Sequence, residues 1–131
     1  MTKTYVGLDV GEKRIGVAVA DDMVKIAIAY ETVETDGNEI KAIAEIIVRQ
    51  GAQTIVVGYP RNQSGDATAQ TAYVETFAKQ LEDMGTVVFQ DESLTSVIAE
   101  QRLEATKKPY TKGDIDAMAA ALILQDYLET Y

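Results

Sequence analysis

GLDVGEKRIGVAVAD, residues 7–21, sets one charged side chain, Asp9, inside an apolar, strand-like run, then turns on GEKR and runs apolar again. A carboxylate between Leu8 and Val10 is costly to bury unless another group pairs with it. What Asp9 faces therefore bears on both the fold and the function.

Alternation along a strand gives a first answer. Thr4, Val6, Leu8 and Val10 share one face, and Tyr5, Gly7 and Asp9 share the other. The next run puts Ile15, Val17 and Val19 on one side, with Gly16, Ala18 and Ala20 on the other. A row of such small residues lets a helix pack closely. Asp9 falls near the C-terminal end of its strand, the place where α/β sheets usually bind ligands.

Working outward, residues 4–10, 14–20 and roughly 26–30 read as three close strands, an antiparallel meander. Helices and strands then alternate. In NEIKAIAEIIVRQG, Ile40, Ile43, Ala44, Ile47 and Val48 fall at helical spacing, with Gly51 as the stop. TIVVGYP is a short buried strand ended by proline. Val74, Phe77, Ala78 and Leu81 mark a second helix stopped at Gly85, TVVFQ is another strand, and a short helix is expected near 95–105. A last helix runs from about Asp114, its expected N-cap, to Leu128. Strand–helix alternation implies parallel pairing with right-handed crossovers. The expected architecture is α/β: a mixed five-stranded sheet, antiparallel meander plus parallel half, in one domain over residues 1–131 without repeats or linkers.

Composition narrows the chemistry. A chain of 131 residues with 47% hydrophobic content can bury a real core, roughly 68% of its unfolded surface. No run approaches the ~18 apolar residues that would span a bilayer. The start, MTKTYVG, enters a strand without a signal-peptide pattern, so a cytoplasmic location is expected. With no cysteine and no histidine, disulfides, thiolate metal sites and imidazole catalysis are excluded. The net charge of −9 argues against non-specific binding to nucleic acid through a broadly basic surface. Yet Lys13, Arg14, Arg61, Lys107, Lys108 and Lys112, six of the twelve basic residues, lie in three short loop-like stretches.

Two further acidic positions compete to join Asp9. Asp91 and Glu92 follow TVVFQ at another C-terminal strand end, and periodicity alone leaves open which of them faces inward. Asp116 lies early in the last helix, in line with Ala119, Ala120 and Ile123. Singly, each has an ordinary structural role; at a helix N-terminus Asp116 gains about 0.3–1 kcal/mol from the dipole. Together they are harder to explain away, because two carboxylates ~4 Å apart repel by about 4 kcal/mol at an effective dielectric near 20. Convergence needs a counter-charge. Without histidine or cysteine the natural one is a hard, oxygen-loving cation, Mg²⁺ or Mn²⁺. Carboxylate-held metals point in turn to phosphoryl transfer.

GLDVGEKRIGVAVAD, VVGYPRNQSG (56–65), DESLTS (91–96) and DIDAMAAALILQDYL (114–128) together resemble the YqgF/RuvX family, in order and over nearly the whole chain. Its members are RNase H-like proteins to which Holliday junction resolution and cleavage of small-subunit ribosomal RNA precursor are ascribed. The resemblance implies an RNase H-like fold with helices on both faces of the sheet, and a metal-dependent endonuclease. It places the family's acidic triad, catalytic and metal-holding at once, on Asp9, Glu92 and Asp116, and so favours Glu92 over Asp91. In-line attack by water, leaving a 5′-phosphate and a 3′-hydroxyl, is what that fold implies. Two departures from the family's pattern stand out. Ser93 stands where a basic residue usually follows the Asp-Glu pair, and Tyr59 and Arg61 replace apolar residues around the glycine-proline loop.

The expected partner is nucleic acid, either an RNA precursor or a branched DNA, with no membrane. Arg61, Asn62 and Gln63 in GYPRNQSG offer donors to phosphate. In KKPYTKGD, Lys107, Lys108 and Lys112 precede Asp116, so a polyanion held there would bring a phosphate to the acids. Lys13 and Arg14 are further candidates, although Arg14 is also placed to pair with an acid. The chain is expected to act as a monomer or a homodimer, since resolving a symmetric junction favours two copies and RNA trimming needs one. Two rivals remain. DVGEKRIG also resembles the phosphate loop of actin-like sugar kinases, but those enzymes need a second lobe and a second phosphate motif that this chain lacks. The other rival is a non-catalytic nucleic-acid-binding or protein-interaction module, whose usual mark is loss of an acid.

Overall fold

Asp9 belongs to strand β1, Thr4–Val10, the centre of a sheet built as the sequence suggests. The structure, a computed structural model, describes residues 2–60, 68–92 and 95–130; Arg61, Asn62, Gln63 and Ser93 lie outside the described residues. β1 pairs antiparallel with β2, Arg14–Asp21, and β2 with β3, Ile28–Glu34. On its other side β1 pairs parallel with β4, Thr54–Pro60, and β4 with β5, Thr86–Glu92. The order is β3-β2-β1-β4-β5.

The third strand begins and ends later than residues 26–30. The Asp21 carboxylate accepts from the N–H groups of Met23 and Val24 at 3.1 and 2.9 Å, and Lys25 takes a φ of 58°. Ala27 N–H donates to Gln125 Oε1 at 2.8 Å instead of joining the ladder. Pairing therefore starts at Ile28 and runs until Glu34 meets Arg14.

Four helices follow in the described residues. α1, Glu39–Gln50, stops at Gly51, whose φ of 65° suits glycine. Its buried stripe is Ile43, Ile46 and Ile47; Val48, assigned to that stripe by spacing, is 80% exposed because it lies too far around the helix from Ile43. α2, Ala69–Lys79, is capped by Thr68 and ends at Gln80 rather than Gly85, so Leu81 is buried in the turn beyond it. α3 spans Thr95–Ala105 and α4 Lys112–Glu129. The cap of α4 is Thr111, not Asp114. Thr111 Oγ1 accepts from Asp114 N–H at 3.1 Å while Asp114 Oδ2 accepts from Thr111 N–H at 2.8 Å, a reciprocal capping box.

The two faces of the sheet are covered differently. Val6, Leu8, Val10, Ile15 and Val17 pack on Ile43, Ile46 and Ile47 of α1 and Val74 and Phe77 of α2. Burial of each such side chain is worth about 1.5–3 kcal/mol. On the other face Ala18, Ala20 and Val56 meet Ala120, Ile123, Leu124 and Leu128 of α4. The small residues set how low α4 sits. A Cβ on Gly7 would lie 2.7 Å from Leu124 Cβ, and one on Gly16 would run into the Asp116 backbone oxygen. Among the described residues no helix is long and apolar enough to cross a membrane.

Candidate nuclease site

Register and helix phase carry three acids to one end of the sheet, on the α4 face. Asp9 is the penultimate residue of β1 and stands opposite Gly16. Because Gly16 has no side chain, the N-terminal part of α4 descends onto β2 there and brings Asp116 with it. β5 continues through Asp91 to Glu92, so alternation decides between them: Glu92 shares the face of Val88, which packs against the α4 cluster. Asp91 points the other way and is exposed.

The electrostatics record that convergence. Burial, followed by the charges of Glu92 and then Asp116, pushes the Asp9 carboxyl from its ordinary 3.8 up to about 8. Burial also raises Glu92 above its usual range. Arg14, the first residue of β2, donates Nε–H to Asp116 Oδ2 at 2.7 Å in a partly buried ion pair. Among the described residues no three acidic side chains, as they lie, close around one point in the manner of metal ligands. The Arg14 pair is a physical reason for this, because Asp116 is turned to a cation on β2 while Asp9 and Glu92 face each other across β4.

Beside the acids an open groove of about 370 Å³ is lined by Gly11, Glu12, Lys13, Arg14, Gln70 and Asp116. Gln70 was not singled out by the sequence, where one more glutamine at a helix start carries no signal. Its Nε2 donates to Val10 O at 3.0 Å and ties the start of α2 to the end of β1. Arg14 thus reaches Asp116, and Lys13 lines the same groove. Lys107 and Lys108 are exposed in the α3–α4 connection, Lys107 at a φ of 58°, and Lys112 opens α4 one turn before Asp116. Tyr59 stacks edge-on against Phe89, ring centres 4.9 Å apart, on the opposite face.

Known proteins bear on this geometry. A protein described as "Putative pre-16S rRNA nuclease" from Chloroflexus aggregans is 40% identical over 133 residues, covering 97% of this chain and 94% of its own. One of the same description from Picosynechococcus sp. is 41% identical over 130 residues, covering 95% and 90%. Among solved structures, Thermus thermophilus RuvC in complex with a Holliday junction substrate superposes with a TM-score of 0.59 at 17% identity, over 98% of this chain and 94% of that one. The fowlpox virus resolvase with Holliday junction DNA gives 0.64 at 12% identity, over 97% of each chain. At such identities the likeness establishes the fold, the RNase H-like α/β fold. The family described as RuvX, Holliday junction resolvase, matches residues 3–130, and with that match over nearly its full length the chain belongs to this family.

Proposed function

We propose that this chain is a metal-dependent nuclease hydrolysing phosphodiester bonds in nucleic acid, with Asp9, Glu92 and Asp116 holding Mg²⁺ or Mn²⁺ and carrying catalysis. One observation carries the reading: the half-buried Asp9, its carboxyl raised to about 8 by its surroundings and by two further acids. Strongly perturbed carboxyl groups cluster at functional sites, where burial and like charges are brought together.

The donor set fits such an ion, since all three groups offer hard carboxylate oxygens and the chain has no softer ligand in histidine or cysteine. A bound divalent cation would supply charge neutralisation at the scissile phosphate and lower the pKa of water there. The chain's own groups do the rest. Asp9 and Glu92, mutually repelling, favour any cation that enters between them. Lys13 and Arg14 hold a phosphate in the groove at the edge of the acids. Lys107, Lys108 and Lys112, with Arg61 and Asn62, hold the strand on either side, so that backbone contacts fix its register over the acids. The domain spans residues 1–131, acts in the cytoplasm and works as a monomer or a homodimer.

For substrate we favour small-subunit ribosomal RNA precursor, because the relatives bearing that description are near 40% identical along the chain. The junction-bound structures are far more distant. Purified protein incubated with precursor RNA and with a four-way DNA junction, each with Mn²⁺ and with chelator, tests this. Metal-dependent cutting of the RNA is expected. Cutting of the junction alone reverses the substrate choice, and binding without cutting of either favours a non-catalytic module.

A further inference from the structure

We propose that Gly58 is a positioning residue for the acidic site: its missing side chain is the slot through which Glu92 reaches across β4 towards Asp9. The inference rests on the site proposed above and deepens it.

The register shows the problem that Glu92 faces. Glu92 pairs with Pro60 and Gln90 pairs with Gly58, whereas Leu8, just before Asp9, pairs with Val57. The two acids therefore stand on strands separated by β4. To approach Asp9, the Glu92 side chain leans over β4 and two residues back along it. Its carboxylate comes to rest over Gly58, where a Cβ would fall on Glu92 Oε2 and lie 2.6 Å from Ile123 Cδ1.

Nothing else in the backbone asks for glycine here. Among the described glycines only Gly37 and Gly51 have a φ in the left-handed region. Gly58 sits in a buried, regularly paired parallel strand, where glycine weakens the element and usually marks a close approach by something else. What approaches is a carboxylate. The requirement comes from space above the strand, not from its dihedrals.

Both obstructing atoms are the far ends of flexible side chains. Gly58→Ala is therefore expected to leave the fold in place while pushing the Glu92 carboxylate aside. The added methyl also presses on Ile123, so packing and acid placement must be separated. Ile123→Val removes Cδ1 and relieves that pressure without making room for Glu92.

The test is Mn²⁺ binding by calorimetry, with melting curves in chelator, for wild type, Gly58→Ala, Ile123→Val, the double variant and Glu92→Gln. The expected result is a fall in affinity of about tenfold or more in Gly58→Ala, the range for residues that orient a metal's ligands. The double variant should recover chelator-state melting but not affinity, and Ile123→Val alone should bind as wild type does. Unchanged affinity in Gly58→Ala, or affinity restored by Ile123→Val, overturns the positioning role and leaves Gly58 a packing residue. Wild-type affinity in Glu92→Gln would instead overturn the site itself.

Discussion

Arg14 and Asp116, 102 residues apart, are joined by a 2.7 Å hydrogen-bonded ion pair from Nε to Oδ2, which ties the start of β2 to the second turn of α4. The pair occupies an acid assigned here to metal and a cation assigned to phosphate. Full loading of the site should break it, Asp116 turning to the metal and Arg14 to the substrate.

Arg14→Gln tests that competition. Metal-free stability should fall by no more than about 1 kcal/mol, as for a partly exposed pair. Mn²⁺ should bind more tightly without nucleic acid, because Asp116 no longer has a resident partner, while nucleic-acid affinity drops. Calorimetric titrations of Mn²⁺ and of substrate decide it. Weaker Mn²⁺ binding would show that Arg14 orients Asp116 for the metal instead of holding it back.

Asp9→Asn separates function from stability. The substitution keeps the shape and forbids the charged form that a metal needs, so cleavage should be abolished. The metal-free protein should be as stable as wild type, or more stable, the gain growing with pH as the wild-type carboxyl is forced to ionise. Mn²⁺ should raise the melting temperature of wild type, since binding to the folded form adds RT ln(1 + [L]/Kd), and the variant should lose most of that rise. A variant strongly destabilised in chelator would instead mark Asp9 as a structural residue.

Stability should also depend on pH in a defined direction. Unfolded Asp9 titrates near 3.8 and folded Asp9 near 8. Below both values the two states hold the same proton. Between them only the folded state keeps it, so stability falls as pH rises through that window, by at most about 1.4 kcal/mol per unit, and levels off above. Denaturant midpoints in chelator from about pH 5 to about pH 9, taken as wild type minus Asp9→Asn, should decline across the window. A flat difference would mean that Asp9 is already ionised in the folded protein.

The lysines at the α3–α4 connection are assigned to substrate. Changing Lys107, Lys108 and Lys112 together to alanine should weaken nucleic-acid binding and flatten its salt dependence by about 0.7–0.9 in the log–log slope for each phosphate that is no longer neutralised. Mn²⁺ affinity should not move. An unchanged slope in a salt series would remove them from the binding surface.

Local pattern determined much of this protein. Period-two alternation placed Asp9 on the face opposite to Leu8 and Val10, and the small residues of β2 announced the close descent of α4, since both follow from side chains nearby in sequence. Four motifs sufficed to indicate the family, which the match over residues 3–130 bears out. Where strands and helices end was less legible. Ala27 leaves the ladder for Gln125, 98 residues away, and Thr111 rather than Asp114 caps α4, because ends are settled by whichever donor or acceptor arrives from elsewhere. The site divided in the same way. Asp9 and Asp116 could be named as candidates from phase, whereas phase left Asp91 and Glu92 open and the family resemblance favoured Glu92. That Glu92 rather than Asp91 faces α4 depended on β5 continuing as a strand, which its pairing with Tyr59 and Pro60 of β4 supplies. That Arg14 holds Asp116, and that Glu92 lies over Gly58, only the tertiary structure decided. Charges and empty spaces act through distance, and those distances are fixed by strands and a helix far apart in the chain.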